Sequence, residues 1–290
     1  MKPKRIRRVS VISTGTARIR PEHVRSNHTP ILWWLATSRK WTDPRPINVF
    51  VIEHQDGLVL FDTGQDRRSV TDSSYFPGGA AGKLYQRLAR FDIAEDDTLT
   101  ARLSGIGYDI SDVHTAVVSH LHQDHIGGLP ELGHANIVAS RDEWAQLRKP
   151  GAVYSGLMSE HIDLPGLRWD LVTPHPTDDA SVAPFAAAHD LMGDGSLVLV
   201  PTPGHTPGSL SLIARDAGMP PLLFVGDLTY DVDLLAAEHV PGVGNRRRLL
   251  ASTRLVNSFR EKHPDAAVLA AHDPAAAELL DGAMAGTVAR

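Results

Sequence analysis

Ser119-His120-Leu121-His122-Gln123-Asp124-His125 places three histidines and an aspartate within six positions. The apolar run Thr115-Ala116-Val117-Val118 leads into it, and Gly127-Gly128 follows it. A strand pattern of this kind sends alternate side chains to one side, so His120 and His122 face a common point. The turn demanded by the glycines lets Asp124 and His125 approach the same region from another direction. Imidazole and carboxylate suit divalent cations such as Zn²⁺. Four donors in one segment exceed what one tetrahedral ion needs from it, and the spacing points to two ions side by side.

Working outward, other polar residues stand just past apolar strand patterns. Ile47 to Glu53 and Leu58 to Phe61 flank the turn Gln55-Asp56-Gly57, a hairpin signal. The second run ends in Asp62-Thr63-Gly64, where a carboxylate is placed to orient a metal ligand. His205 lies in the Pro- and Gly-rich turn 201–208, Asp227 follows the run 222–225, and His272 ends the run 267–271. A carboxylate such as Asp227 has two oxygens and is able to bridge two cations. With the opening cluster, these positions complete two ligand sets.

The 290 residues allow a large core, and residues 1–290 read as one domain. A net charge of −5 gives no positive field for nucleic acid. With no cysteine, disulfides, thiolate zinc sites and cysteine nucleophiles are excluded. The basic stretch 2–8 is not followed by the apolar segment of an export signal, and no run is long enough to span a membrane, so a cytoplasmic location is expected.

A short strand is expected at 9–12, an irregular stretch over 18–45 and a loop-rich stretch over 158–179. Helical spacing points to helices at 80–90, 97–105 and 141–149. The longest, 245–262, carries Leu249, Leu250, Thr253, Val256 and Phe259 on one stripe. Trp33, Trp34 and Trp41 in the irregular stretch read as a packed cover, a pocket lining or a homodimer contact, with Trp33 and Trp34 the candidates for lining a substrate pocket. The interleaving of short strands and helices points to sheet packed on sheet with helices outside.

His120-x-His122-x-Asp124-His125, followed by His205, Asp227 and His272, resembles the metal motifs of the metallo-β-lactamase superfamily. The resemblance reaches from Asp62 to His272 and implies an α/β fold, the four-layer αβ/βα sandwich. It places His120, His122 and His205 on one metal, Asp124, His125 and His272 on a second, and Asp227 on both. The ions implied are two divalent metals, Zn²⁺ first, with Mn²⁺, Co²⁺ or Fe²⁺ as alternatives. The β-lactamases proper use a cysteine that this chain lacks, which argues against antibiotic hydrolysis.

Within the superfamily, the stretch 194–208 and Tyr230, three residues after Asp227, resemble the N-acyl homoserine lactonases, the quorum-quenching group. That resemblance implies a hydrolase that opens a lactone ring by attack of a metal-bridging hydroxide, with Tyr230 stabilising the oxyanion and Asp124 carrying a proton to the leaving group. Other esters, thioesters or organophosphate triesters are the alternative substrates for the same site. The N-terminal third departs most from that group, and it is the part expected to shape the pocket.

Overall fold

The computed structural model describes residues 4–288; residues 2–3 of the basic lead-in lie outside them. Seven strands form the first sheet: β1 (Ile6–Ile19), β2 (Arg45–His54), β3 (Gly57–Phe61), β4 (Ala89–Asp92), β5 (Val113–Val117), β6 (Asn136–Ser140) and β7 (Arg168–Val172). Their order is β4-β1-β2-β3-β5-β6-β7. The pairings are antiparallel from β4 to β3 and parallel from β3 to β7. Six strands form the second sheet: β8 (His175–Pro176), β9 (Ala187–Asp190), β10 (Leu197–Pro201), β11 (Leu210–Ala214), β12 (Leu222–Phe224) and β13 (Ala267–Leu269). They run in the order β13-β12-β11-β10-β9-β8, and only the β12–β13 pair is parallel.

Period-two alternation sorts each strand's side chains between layers. In the first sheet Phe50, Ile52, Val59 and Phe61 face the second sheet, and from that sheet Leu199, Leu212, Leu222 and Phe224 face back. The rings of Phe50 and Phe61 lie 4.8 and 5.8 Å from that of Phe224, at the centre of the molecule. The intervening residues Val49, Val51, Leu58 and Leu60 face outward and are covered by Leu99 and Leu103 of the helix Leu99–Gly105. On the far side Leu249, Val256 and Phe259 of the helix Arg246–Lys262 cover Val200, Ile213 and Leu223. The result is the expected α/β sandwich of helix, sheet, sheet and helix.

Two of the outer helices start on side-chain caps. Thr98 accepts from the Ala101 amide and Asn245 accepts from the Arg248 amide. Several expectations need correction. The strand expected at 9–12 is the 14-residue β1, whose Ser, Thr and Arg side chains hide its pattern. It borders β2 along most of its length and β4 at its end. Residues 18–45 are not irregular throughout, since they hold the helices Pro21–Val24 and Ile31–Thr37. The helix expected over 80–90 spans Gly79–Leu88, and Phe91 belongs to β4. The stretch 158–179 holds the helix Ser159–Ile162 and the strands β7 and β8. Among the described residues no helix is long and apolar enough to cross a membrane.

Candidate metal centre

Every candidate donor follows a strand. Past β5, Val118 still bonds to Val138 of β6, and the chain then carries His120 and His122 on one side while Leu121 is buried in the outer layer. His122 begins the helix Gln123–Ile126, which supplies Asp124 and His125. His205 comes from the β10–β11 turn, Asp227 from the residues after β12 and His272 from those after β13. Gly226 permits the approach before Asp227. Its φ is +53°, and a Cβ there would stand 2.8 Å from the Ser119 Oγ.

One imidazole nitrogen of most of these histidines is occupied by a hydrogen bond, which aims the other inward. His120 Nδ1 lies 3.0 Å from Ser119 Oγ, His122 Nε2 3.0 Å from the Ser155 carbonyl, His125 Nδ1 2.8 Å from Asp62 Oδ2 and His272 Nδ1 2.9 Å from the Pro46 carbonyl. A ring that donates to a carbonyl or carboxylate keeps a lone pair on its second nitrogen. Those second nitrogens converge. His122 Nδ1 stands 3.1 Å from His120 Nε2 and 3.0 Å from His205 Nε2. Lone pairs so close repel one another unless a cation stands among them. Donors about 2.0–2.1 Å from a tetrahedral Zn²⁺ are spaced at roughly this distance.

Asp227 divides its two oxygens between two groups of donors. Oδ2 is 3.4 Å from His205 Nε2, while Oδ1 is 3.3 Å from His125 Nε2 and 3.4 Å from His272 Nε2. Asp124 completes the second group, 3.4 Å from His272 Nε2 and 3.8 Å from His125 Nε2. His125 Nε2, His272 Nε2 and Asp227 Oδ1 are buried and make no hydrogen bond among the described residues. Buried polar atoms that converge without hydrogen-bond partners are the mark of a cation site. The donor set therefore fits two divalent ions, held by imidazole and carboxylate alone.

The electrostatics agree. Burial, reinforced by the neighbouring imidazoles, pushes His120 well below the usual histidine range, and burial pushes His205 down to about 3. Both are neutral at pH 7 with lone pairs available. Burial also works against charge on His125, but Asp62 and Asp227 outweigh it and hold its proton well above the ordinary value. Asp227 is held well below the carboxylate range by His272 and His125 despite its burial. The place between these groups demands positive charge, and a divalent ion would take over from the protons.

Asp62 links the two donor groups. Its Oδ1 accepts from the Ser119 amide at 2.7 Å, and its Oδ2 accepts from Ser119 Oγ at 3.0 Å and faces His125. It is wholly buried and holds φ +64°, uncommon for a residue other than glycine. Tyr230, also buried, donates its hydroxyl to Asp227 Oδ2 at 2.7 Å and stacks on His272 with centroids 5.3 Å apart. Burial beside Asp227 raises this phenol well above its usual range, so it remains a donor.

The pattern described as the metallo-beta-lactamase superfamily matches residues 42–272. The chain belongs to the metallo-β-lactamase superfamily. It is a hydrolase of that superfamily, and curated relatives in it carry lactonase names. The N-acyl homoserine lactonase AttM of Rhizobium radiobacter is 30% identical over 231 residues, covering 79% of this chain and 82% of the relative. The protein of that name from Azorhizobium caulinodans is 31% identical, with coverage of 79% and 82%. Among solved structures, an N-acyl homoserine lactone hydrolase with N-hexanoyl-L-homoserine bound at its catalytic metal centre superposes with a TM-score of 0.73. It has 22% identity and covers 93% of this chain and 94% of its own. At these identities the structural likeness speaks for the fold.

A cavity of about 500 Å³ opens onto the candidate donors His122, Asp124, His205 and Asp227, with Tyr230 also in its lining. Its lining includes the apolar residues Ile19, Ile31, Leu84, Leu88 and Phe91 and the polar residues Gln146, Lys149, Asn245 and Arg248. Trp33 and Trp34 are not in its wall. Trp33 is 64% exposed on the surface, and Trp34 is buried edge-on against His23 with centroids 5.2 Å apart. Trp41 is covered by Arg20 and Arg90.

Two further residues stand out in the structure. Glu143 is buried, accepting from the Leu121 amide at 3.2 Å and the Gly208 amide at 3.0 Å. It joins the loop of one sheet to the turn of the other. Its place in an ordinary amphipathic stretch hides it from sequence reading. His23 is buried at the cavity wall, although nothing around it in the sequence resembles a ligand motif.

Proposed function

We propose that this chain hydrolyses the lactone ring of N-acyl homoserine lactones at a dinuclear metal centre. His120, His122 and His205 hold one ion, Asp124, His125 and His272 the other, and Asp227 both. The observation that carries the reading is the division of the Asp227 oxygens between two groups of nitrogen donors, in the wall of a cavity that also has apolar lining residues. The relatives named lactonases support the choice of substrate. Two divalent ions at such a site supply Lewis acidity and a water made acidic near neutral pH.

The chain's own groups do the rest. The Tyr230 hydroxyl, kept protonated, turns its one O–H from Asp227 Oδ2 to the carbonyl oxygen as that oxygen gains charge. Asp124 is the one half-buried carboxylate of the donor set and reaches the cavity, where it carries a proton to the departing ring oxygen. The apolar lining residues take the acyl chain and exclude water around it. Overall, water adds across the ring ester bond. Its oxygen goes to the carbonyl carbon and a proton to the ring oxygen, giving a hydroxy acid that ionises and releases acid.

The test is acid release from a panel of short- and long-chain N-acyl homoserine lactones by protein loaded with Zn²⁺, Mn²⁺ or Co²⁺. Turnover should vanish with a chelator and return with metal. A fully loaded protein that leaves the whole panel intact overturns the reading. A tryptophan-lined pocket would favour aryl esters or organophosphate triesters instead, but Trp33, Trp34 and Trp41 are not in the cavity's lining. A kcat/KM higher for paraoxon-like substrates than for lactones would restore it.

A further inference from the structure

Arg45 opens β2 in the first sheet, and its side chain crosses to two loops of the second. One guanidinium nitrogen donates to the Tyr230 carbonyl at 2.6 Å and to the His272 carbonyl at 3.3 Å. The next residue, Pro46, offers its carbonyl to His272 Nδ1 at 2.9 Å, and the Asn48 side chain donates to the Asp273 carbonyl at 3.1 Å. The start of β2 thus holds the residues after β13 at several points, but of these contacts only Arg45 also reaches Tyr230. A half-buried cation commonly faces a carboxylate. Arg45 instead gives its N–H groups to two main-chain oxygens, and the planar guanidinium holds two acceptors at a set separation. The two residues it joins pack together: the Tyr230 and His272 rings are 12° from parallel with centroids 5.3 Å apart. One ring carries the hydroxyl bound to Asp227 Oδ2, and the other supplies a nitrogen to the second donor group.

We infer that Arg45 is a positioning residue that fixes the Tyr230 ring against His272 and so sets where the Tyr230 hydroxyl meets the carbonyl oxygen of the substrate. The inference rests on the lactonase reading for its substrate and deepens it. The loop that carries Tyr230 has a second tie, the Val232 amide on Asp273 Oδ2 at 2.9 Å. Without Arg45 that tie keeps the loop near its place, while the bond at Tyr230 itself is lost. A displacement of about 1 Å is enough to cost on the order of 10²-fold in rate. Loss of an outer partner of a metal ligand costs about 10–100-fold in metal affinity.

The experiment is a double-substitution cycle in Zn²⁺-saturated protein. Wild type, Arg45→Met, Tyr230→Phe and the pair are each read for kcat and KM on N-hexanoyl homoserine lactone. Arg45→Met should lower kcat about 10–100-fold and leave KM within about threefold. In Tyr230→Phe, which lacks the hydroxyl being placed, the same substitution should lower kcat by no more than about threefold. Zn²⁺ affinity, measured by competition with a chromophoric chelator, should fall about tenfold for one ion of the two in Arg45→Met. A general weakening of the fold lowers kcat equally in both backgrounds, so equal losses overturn the placement of Tyr230. Unchanged Zn²⁺ affinities overturn the placement of His272. If Arg45→Met does not fold, Arg45→Gln, shorter but still a donor, is read by the same comparisons. Wild type that opens no lactone overturns the lactonase reading, and the chelator competition then decides the Arg45 assignment alone.

Discussion

Asp62, His120, His205, Asp227 and His272 each follow a strand of the central sheets, and most of their side chains are tied by a second hydrogen bond to something rigid. Ile19, His23, Ile31 and Leu84, a few ångströms away on the cavity wall, come from the end of a long strand and from short helices near the rim. Chemistry that tolerates little displacement is built on the sheets, and recognition of the substrate's tail is built on connections that vary without disturbing it. The difference is one of redundancy. The donor cluster is bound to both sheets through Glu143, the Leu210 amide on the Ser119 carbonyl and the Asn48 amide on the Ala271 carbonyl.

Substitutions on the two sides of that divide should differ in size. The largest loss is expected for Asp227→Asn, which removes charge from both donor groups at once. Activity should fall by about 10³-fold or more and metal content by at least one ion per chain, read by kinetics and elemental analysis. Glu143→Leu leaves the Leu121 and Gly208 amides buried without an acceptor. Denaturant unfolding should show a loss of about 2–4 kcal/mol. Asp62→Asn keeps a residue that tolerates positive φ but removes the carboxylate from Ser119 and His125. Metal affinity or kcat should drop about 10–100-fold, with Asp62→Glu no better because the longer side chain cannot keep the geometry. Trp33→Ala, at an exposed position outside the wall, should change stability by less than about 0.5 kcal/mol and leave lactone turnover near wild type. Equal effects of Asp62→Asn and Trp33→Ala would erase the contrast between cluster and wall.

The same divide explains what was legible in the sequence. Strands such as β2, β3 and β10 are apolar on both faces because each lies between a helix layer and the other sheet, so their runs were unmistakable and the residues after them were easy to single out. The helix Arg246–Lys262 declared itself through a 3.6-residue stripe and an Asn cap. By contrast β1 extends into Thr14 to Arg18, where Thr14, Thr16 and Arg18 break the apolar pattern although the strand lies between β2 and β4. The cavity wall carries no periodic signal, because its members are single residues from Ile19 to Arg248 that meet only in the fold. Tryptophans near one another in sequence suggested a wall, yet Trp34 serves as backing for His23 and Trp33 points outward. His23 is a lone histidine whose sequence neighbours give it no meaning, and it is the fold that buries it in the cavity wall.

The position of His272 just after β13 has a consequence for biosynthesis. The donors are dispersed from residue 120 to residue 272, and β13 lies at the edge of its sheet, held by a parallel pairing to β12. A ribosome releases the chain from its N-terminal end, so the first donor group, His120, His122 and His205, is available well before the second acquires His272. If two ions are held as proposed, a nascent chain has the donors for one of them while those for the other wait for translation to be nearly finished.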